Sequence, residues 1–173
     1  MAAGTHSEGH GNNDPQMGGH SQSLGHGHDS NETGGHDDAM MAVGVPGDAA
    51  EVKRTIEVTM RETADGDMIF EPSSIEIHKN ETIRFVVANA GDLTHEFVLD
   101  NHDGVIEHKA LMERFPEMEH DDPNSVRLES GQSSELFWHF TNAGSFEFAC
   151  LIPGHYAAGM KGDIAVSDQV ASN

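Results

Sequence analysis

Near the C-terminus, Cys150-Leu-Ile-Pro-Gly-His155-Tyr-Ala-Ala-Gly-Met160 sets a thiol, an imidazole and a thioether five residues apart. Cys150 is the single cysteine of the chain. Thiolate and imidazole with a weak sulfur ligand suit copper, and a trigonal His₂Cys site with a long axial Met marks a blue-copper electron-transfer centre. Such a site needs a second histidine from elsewhere in the chain. A binuclear copper centre would need a second cysteine, which is absent. A Cys–His pair working as a thiol hydrolase is the rival chemistry, but it leaves the spacing of Met160 without a purpose.

The ligands must be carried by elements that converge. From Lys53 onward the pattern is alternation: Ile56, Val58 and Met60 share one face of a strand, with a turn following at Ala64-Asp65-Gly66-Asp67. Further strands are predicted over Met68–Pro72, Ser74–His78, Thr82–Asn89, Thr94–Leu99, Ser125–Leu128, Ser134–Phe140, Ser145–Ala149 and Asp163–Val166. Residues 101–124 break the rhythm. Val105–Phe115 reads as a weak helix with Ile106, Ala110 and Phe115 as its apolar positions, closed by Pro116. Short strands at turn-punctuated spacing with one insertion predict an all-β, antiparallel sandwich with Greek-key links. A sandwich gathers strand ends at one pole. Cys150 lies where one strand runs out, His155 and Met160 lie on the loop that follows, and His95 opens a strand after the Asp92-Leu93-Thr94 turn. The expected metal ligands are therefore His95, Cys150, His155 and Met160. Phe146 and Phe148 are expected beneath the site.

Composition divides the 173-residue chain unevenly. Residues 1–50 hold no Lys or Arg, seven carboxylates and six of the 13 histidines: His6, His10, His20, His26, His28 and His36. Interleaved with Gly, Asp, Met17, Met40 and Met41, they show no periodicity. Residues 1–50 thus read as a disordered His/Met-rich acidic tail, and residues 51–173, roughly 120, as the folded domain. The tail's imidazoles and thioethers would suit loose binding of Cu(II) and Cu(I), while the plainer reading is a solubilising extension. The net charge of −21 argues against nucleic acid or an anionic membrane surface as a partner and suits cations or a basic protein. No run approaches the ~18 apolar residues of a membrane span. Ala39–Val45 lacks the basic flank of a signal peptide, so both a processed exported protein and a cytosolic one fit.

Met68-x-Phe70-x-Pro72-x-x-Ile75-x-Ile77 through Phe85, then a lone His, then Cys-x₄-His-x₄-Met, resembles the cupredoxins over about residues 52–167. Three stretches are closer to the CopI-type periplasmic copper-tolerance proteins: Thr94–Leu99, Phe115–Asn124 and the Cys150–Met160 loop. Those proteins also tend to carry a His/Met-rich N-terminal extension. The resemblance implies a cupredoxin-like Greek-key sandwich, one type 1 copper site and a periplasmic location. It also implies an apolar patch around His155, here Leu151, Ile152, Pro153, Tyr156, Ala157 and Ala158, where a redox partner docks. The acidic chain would favour a basic one such as a cytochrome c. Many cupredoxins place Asn directly after the first histidine. Here it is Glu96, which would either hydrogen-bond as an acid or add negative charge that lowers the reduction potential, so a perturbed, greenish site is expected.

Two questions stay open at this level. His108 and Met112 stand one helical turn apart, and with Met118 and His120 they form a candidate second copper site, although the methionines also suit a core. His78, His102 and His139 have no assigned partner. The job is open as well: copper handling for tolerance, electron carriage to or from a cytochrome, or a cuprous oxidase, the last lacking a visible electron sink in so small a chain.

Overall fold

The computed structural model describes residues 41–116 and 122–168. Among these, ten strands form two five-stranded sheets. The first has the order β1-β8-β5-β2-β3, with β1 Val45–Pro46, β2 Arg54–Glu62, β3 Met68–Glu71, β5 Thr82–Asn89 and β8 Ser133–His139. The second runs β4-β10-β9-β6-β7, with β4 Ser74–His78, β6 His95–Asp100, β7 Ser125–Leu128, β9 Gly144–Ala149 and β10 Lys161–Ser167. Helix α1 spans His102–Arg114. No helix among the described residues is long and apolar enough to cross a membrane.

The ladders are mixed, which corrects the wholly antiparallel expectation. β2 and β5 run parallel from Arg54↔Ile83 to Met60↔Asn89, and β4 and β10 run parallel from Asp163↔Ser74 to Ser167↔His78. The reason is connectivity: after β3 the chain crosses to the second sheet as β4 and returns as β5, so in-plane neighbours are not chain neighbours. Alternation along β2 and β5 places Val58, Met60, Ile83, Phe85 and Val87 inside. They meet Phe97, Leu99, Phe146 and Phe148 from the facing sheet in one core. Phe148 packs edge-on to Phe70 with centroids 5.1 Å apart and lies 5.5 Å from Phe97. Phe146 and Phe148 thus sit in the core as expected.

The sandwich starts earlier than residue 51. Val43 is fully buried, Met41 packs on the core, and β1 pairs with β8 through Val45↔His139 and Pro46↔Trp138. A two-residue strand gives too few positions for alternation to be seen.

β6 is buried along both faces, because Phe97 and Leu99 face the main core while Val98 faces a second cluster under α1. Asn101 caps that helix, its side-chain oxygen accepting from the Gly104 N–H at 2.7 Å. The buried residues are Val105 and Met112, packed with Val98, Ala149 and Leu151. This corrects the expected face: Ile106 and Phe115 are exposed, at 42% and 48%. Val105 and Met112 are two turns apart and therefore in line.

The remaining histidines acquire partners. His139 Nδ1 lies 2.9 Å from Thr82 Oγ1, His78 Nδ1 lies 3.1 Å from Ser167 Oγ, and His102 Nδ1 lies 2.9 Å from Glu147.

Candidate metal centre

His95 is delivered by the loop between β5 and β6, and several side chains hold that loop from below. Asn89, 1% exposed, accepts from the Gly91 N–H at 2.9 Å and donates to the carbonyls of Leu93 and Leu128 at 2.7 and 3.0 Å. Ser130 Oγ donates to the Gly91 carbonyl at 2.6 Å, and Thr94 Oγ1 donates to Glu129 at 2.8 Å. Glu62 completes the cradle. Its carboxylate accepts the backbone N–H groups of Asp92 and Leu93 at 2.9 and 3.1 Å, and it lies 2.8 Å from His95 Nε2.

The second loop runs from Cys150 to Met160 and closes on itself. Cys150 N–H donates to the Met160 carbonyl, Met160 N–H to the His155 carbonyl, each at 3.1 Å, and His155 N–H to the Ile152 carbonyl at 3.0 Å. Gly154 and Gly159 take φ of +92° and +97°, a region side chains rarely occupy, so the reversals fall on glycine. The two loops are joined where Glu96 N–H donates to Cys150 Sγ at 3.3 Å.

These two loops bring His95, Cys150 and His155 together with one ligand atom from each within 4.8 Å of the others. His95 Nδ1 and His155 Nδ1 are 3.3 Å apart, as are His155 Nδ1 and Cys150 Sγ. His95 and Cys150 are fully buried, whereas His155 is partly exposed. Met160, also fully buried, is held beside them by its backbone bonds to Cys150 and His155. Among the described residues no other cluster of this kind forms. Two imidazole nitrogens and a sulfur facing one point, with a thioether on the same loop, are the donor set copper favours.

Burial shifts the proton affinities of Cys150 and His155 in opposite directions. It pushes the Cys150 thiol up to about 12, with Glu96 adding to the rise while the N–H groups of Glu96 and Ile152 and the charge of Arg127 oppose it. Arg127 faces Glu96 across the β6–β7 ladder. Burial, together with neighbouring His95, lowers the proton affinity of His155. Glu62 goes the other way. Partial burial would raise its carboxyl, but the donors from Asp92, Leu93 and His95 outweigh that and hold it at about 2.

Other expectations meet the structure less evenly. Met112 is 1% exposed within the second core cluster, so its thioether is used in packing. His108 lines a cleft with Asp100, Glu107 and Asp122. Met118, His120 and the tail residues 1–40 lie outside the described residues. Around His155, Pro153, Ala157 and Ala158 are exposed, and Leu93, on the loop that carries His95, is 45% exposed. Leu151, expected on that surface, is instead buried beneath α1. Glu62 was missed, although a signal existed: it continues the core-facing alternation Ile56, Val58, Met60 as a charged residue at the end of the strand.

The sequence matches the copper-binding proteins of the plastocyanin/azurin family over residues 56–167. The copper-resistant cuproprotein CopI of Rubrivivax gelatinosus is 49% identical over 129 residues, 75% of this chain and 76% of that protein. Its namesake from Pseudomonas aeruginosa is 41% identical over 154 residues, 72% of this chain and 82% of that protein. A solved structure of auracyanin B, at 23% identity, superposes with a TM-score of 0.56 over 70% of this chain and 94% of that one, which concerns the fold alone. A sandwich with copper-type donors at one pole, matched by this family over most of its folded length, makes the chain a member of the plastocyanin/azurin family of copper-binding proteins, related to the CopI cuproproteins.

Proposed function

We propose that His95, Cys150, His155 and Met160 hold one type 1 copper, and that the protein serves copper tolerance in the periplasm by binding copper in a redox-active, non-enzymatic site. The observation that carries this reading is the approach of two Nδ1 atoms and one Sγ to a common point at the buried pole of the sandwich. Its tolerance role rests on the likeness to the CopI cuproproteins, whose names state copper resistance.

Bound there, copper supplies a one-electron Cu(II)/Cu(I) couple. The residues do the rest. Cys150 gives up its proton on binding and offers the thiolate, with the Glu96 N–H aimed at the sulfur. His95 and His155 present neutral nitrogens, and Phe97 and Phe148 exclude water from below. Met160 would supply the weak thioether ligand, whose identity tunes the potential. The charge of Glu96, 4% exposed, acts on the Cys150 sulfur and would favour the oxidised site.

Optical and EPR spectra of the copper-loaded protein test the assignment. An intense thiolate-to-copper band that disappears in Cys150→Ser is expected. Copper binding with the same spectrum in both proteins would sink it.

Electron carriage is the second reading, favoured by the exposed Pro153, Ala157 and Ala158 around partly exposed His155. An apolar contact on a chain of net charge −21 suits a basic partner such as a cytochrome c. Oxidation of the reduced protein by cytochrome c, at a rate that falls with salt, would support it. The discriminating experiment is copper tolerance in cells. If Cys150→Ser abolishes it and deletion of residues 1–40 does not, the redox site is the working part. The reverse pattern gives the role to sequestration by the tail.

A further inference from the structure

The ring of His95 is held on the side away from Cys150 and His155 by a carboxylate that the hydrophobic core has no use for. Ile56, Val58 and Met60 face inward along β2, and Glu62 is the next residue on that face, at the pole where the sandwich opens. Its oxygens are committed. Oε2 accepts from Asp92 N–H at 2.9 Å, and Oε1 accepts from Leu93 N–H at 3.1 Å while lying 2.8 Å from His95 Nε2. An ionised carboxylate only accepts hydrogen bonds, so the ring must supply the proton in the third contact. That places the proton on Nε2 and leaves the lone pair on Nδ1, the atom facing His155 Nδ1 at 3.3 Å.

The loop is shaped around the same group. A Cβ on Gly91 would come within 2.2 Å of Glu62 Oε2 and 2.8 Å of its carboxyl carbon. Glycine lets the backbone close onto the carboxylate and bring two N–H donors to it.

Resting on the ligand assignment above, we infer that Glu62 is the positioning residue of the copper site: it locks His95 into the Nδ1 lone-pair tautomer and biases the site toward Cu(II). A carboxylate hydrogen-bonded to the far nitrogen makes an imidazole a stronger donor, and removing such a partner typically weakens metal affinity ~10–100-fold. The stronger donor benefits Cu(II), the more charged ion, more than Cu(I). Among the described residues the His155 ring meets His95 and Cys150 and no carboxylate, so the influence enters through one ligand.

The test has a metal-free arm and a copper arm. In the apo wild type, ¹⁵N-resolved imidazole NMR should show His95 protonated on Nε2. Protonation on Nδ1 would overturn the inference without any variant. Glu62→Gln offers one oxygen to three N–H donors, and Gly91→Ala displaces the carboxylate while keeping it in the chain. Both should mix the His95 tautomers. Both should also weaken Cu(II) binding about tenfold relative to Cu(I), raising the midpoint potential by about 59 mV, the one-electron equivalent of tenfold. Glu57→Gln, an exposed charge change on the same strand, serves as the control. Potentials for Glu62→Gln and Gly91→Ala equal to that control, with a single tautomer retained, would refute the role. A purely structural Glu62 would lower thermal stability and leave both readouts in place. Should the wild type lack a thiolate-to-copper band, the ligand set fails, while the apo tautomer still reports on Glu62.

Discussion

Trp138 donates its indole N–H to the carbonyl of Val43 at 3.2 Å, across 95 positions of chain. Both residues are fully buried, and the contact fastens the segment before β2 to the first sheet. Removing residues 1–50 should therefore cost about 2 kcal/mol or more relative to removing residues 1–40, the burial of one valine alone. Thermal unfolding of the two truncated apo proteins checks this, since each kcal/mol moves the midpoint of a domain this size by ~3–5 °C. Equal midpoints would mean the segment contributes nothing. Any metal titration of a tailless protein should accordingly cut at residue 40.

The apo protein should be most stable near neutral pH and lose stability on both sides. On the acid side, burial depresses the folded-state proton affinity of His155, so the unfolded chain binds the extra proton first. Stability then declines as pH falls below the ordinary histidine value of about 6.5. On the alkaline side, Cys150 is raised from 9.0 to about 12. The unfolded chain loses its thiol proton first, so stability present below pH 9 is lost as pH rises toward 12, by an amount of order 4 kcal/mol at ~1.4 kcal/mol per unit. Denaturant titrations from pH 5 to 11 measure both limbs. The alkaline limb should shrink in Cys150→Ser, leaving the smaller loss above pH 10 from Tyr156, whose hydroxyl burial also pushes up. The acid limb should shrink in His155→Gln.

Met112 distinguishes packing from ligation. Met112→Leu conserves volume and should cost under about 1.5 kcal/mol, while Met112→Ala should cost about 2–5 kcal/mol through the cavity it leaves under α1. Copper stoichiometry, measured by titration, should be identical in wild type and Met112→Leu. A lost equivalent in Met112→Leu would revive a second site near His108.

Glu96 and Arg127 exert opposite effects on the Cys150 sulfur, the first raising its proton affinity and the second lowering it. Glu96→Gln should raise the copper midpoint potential and Arg127→Gln should lower it, each on the order of tens of millivolts. Voltammetry of the two loaded variants settles the sign. Shifts in the same direction would show that structural change rather than charge dominates.

Much of this was legible in the sequence. Alternation located strands such as β2, β4 and β5 because each covers a core with one face. Short apolar runs between turns located β6, which is buried on both, and α1 was legible but with the wrong residues facing inward. Cys150, His155 and Met160 were legible because one short loop carries them, so their spacing survives in the linear chain. The sequence also marked His95, through its place at the head of a strand. Tertiary structure alone decided the rest. The parallel pairings β2–β5 and β4–β10 and the inclusion of Val43 join residues that no local pattern relates. Glu62 reaches His95 across 33 positions because two strands of different sheets end at the same pole. Ligand types are a property of residues, and the sequence states them outright. The environment that orients a ligand and sets its charge is assembled from distant strand ends, and only the fold brings those together.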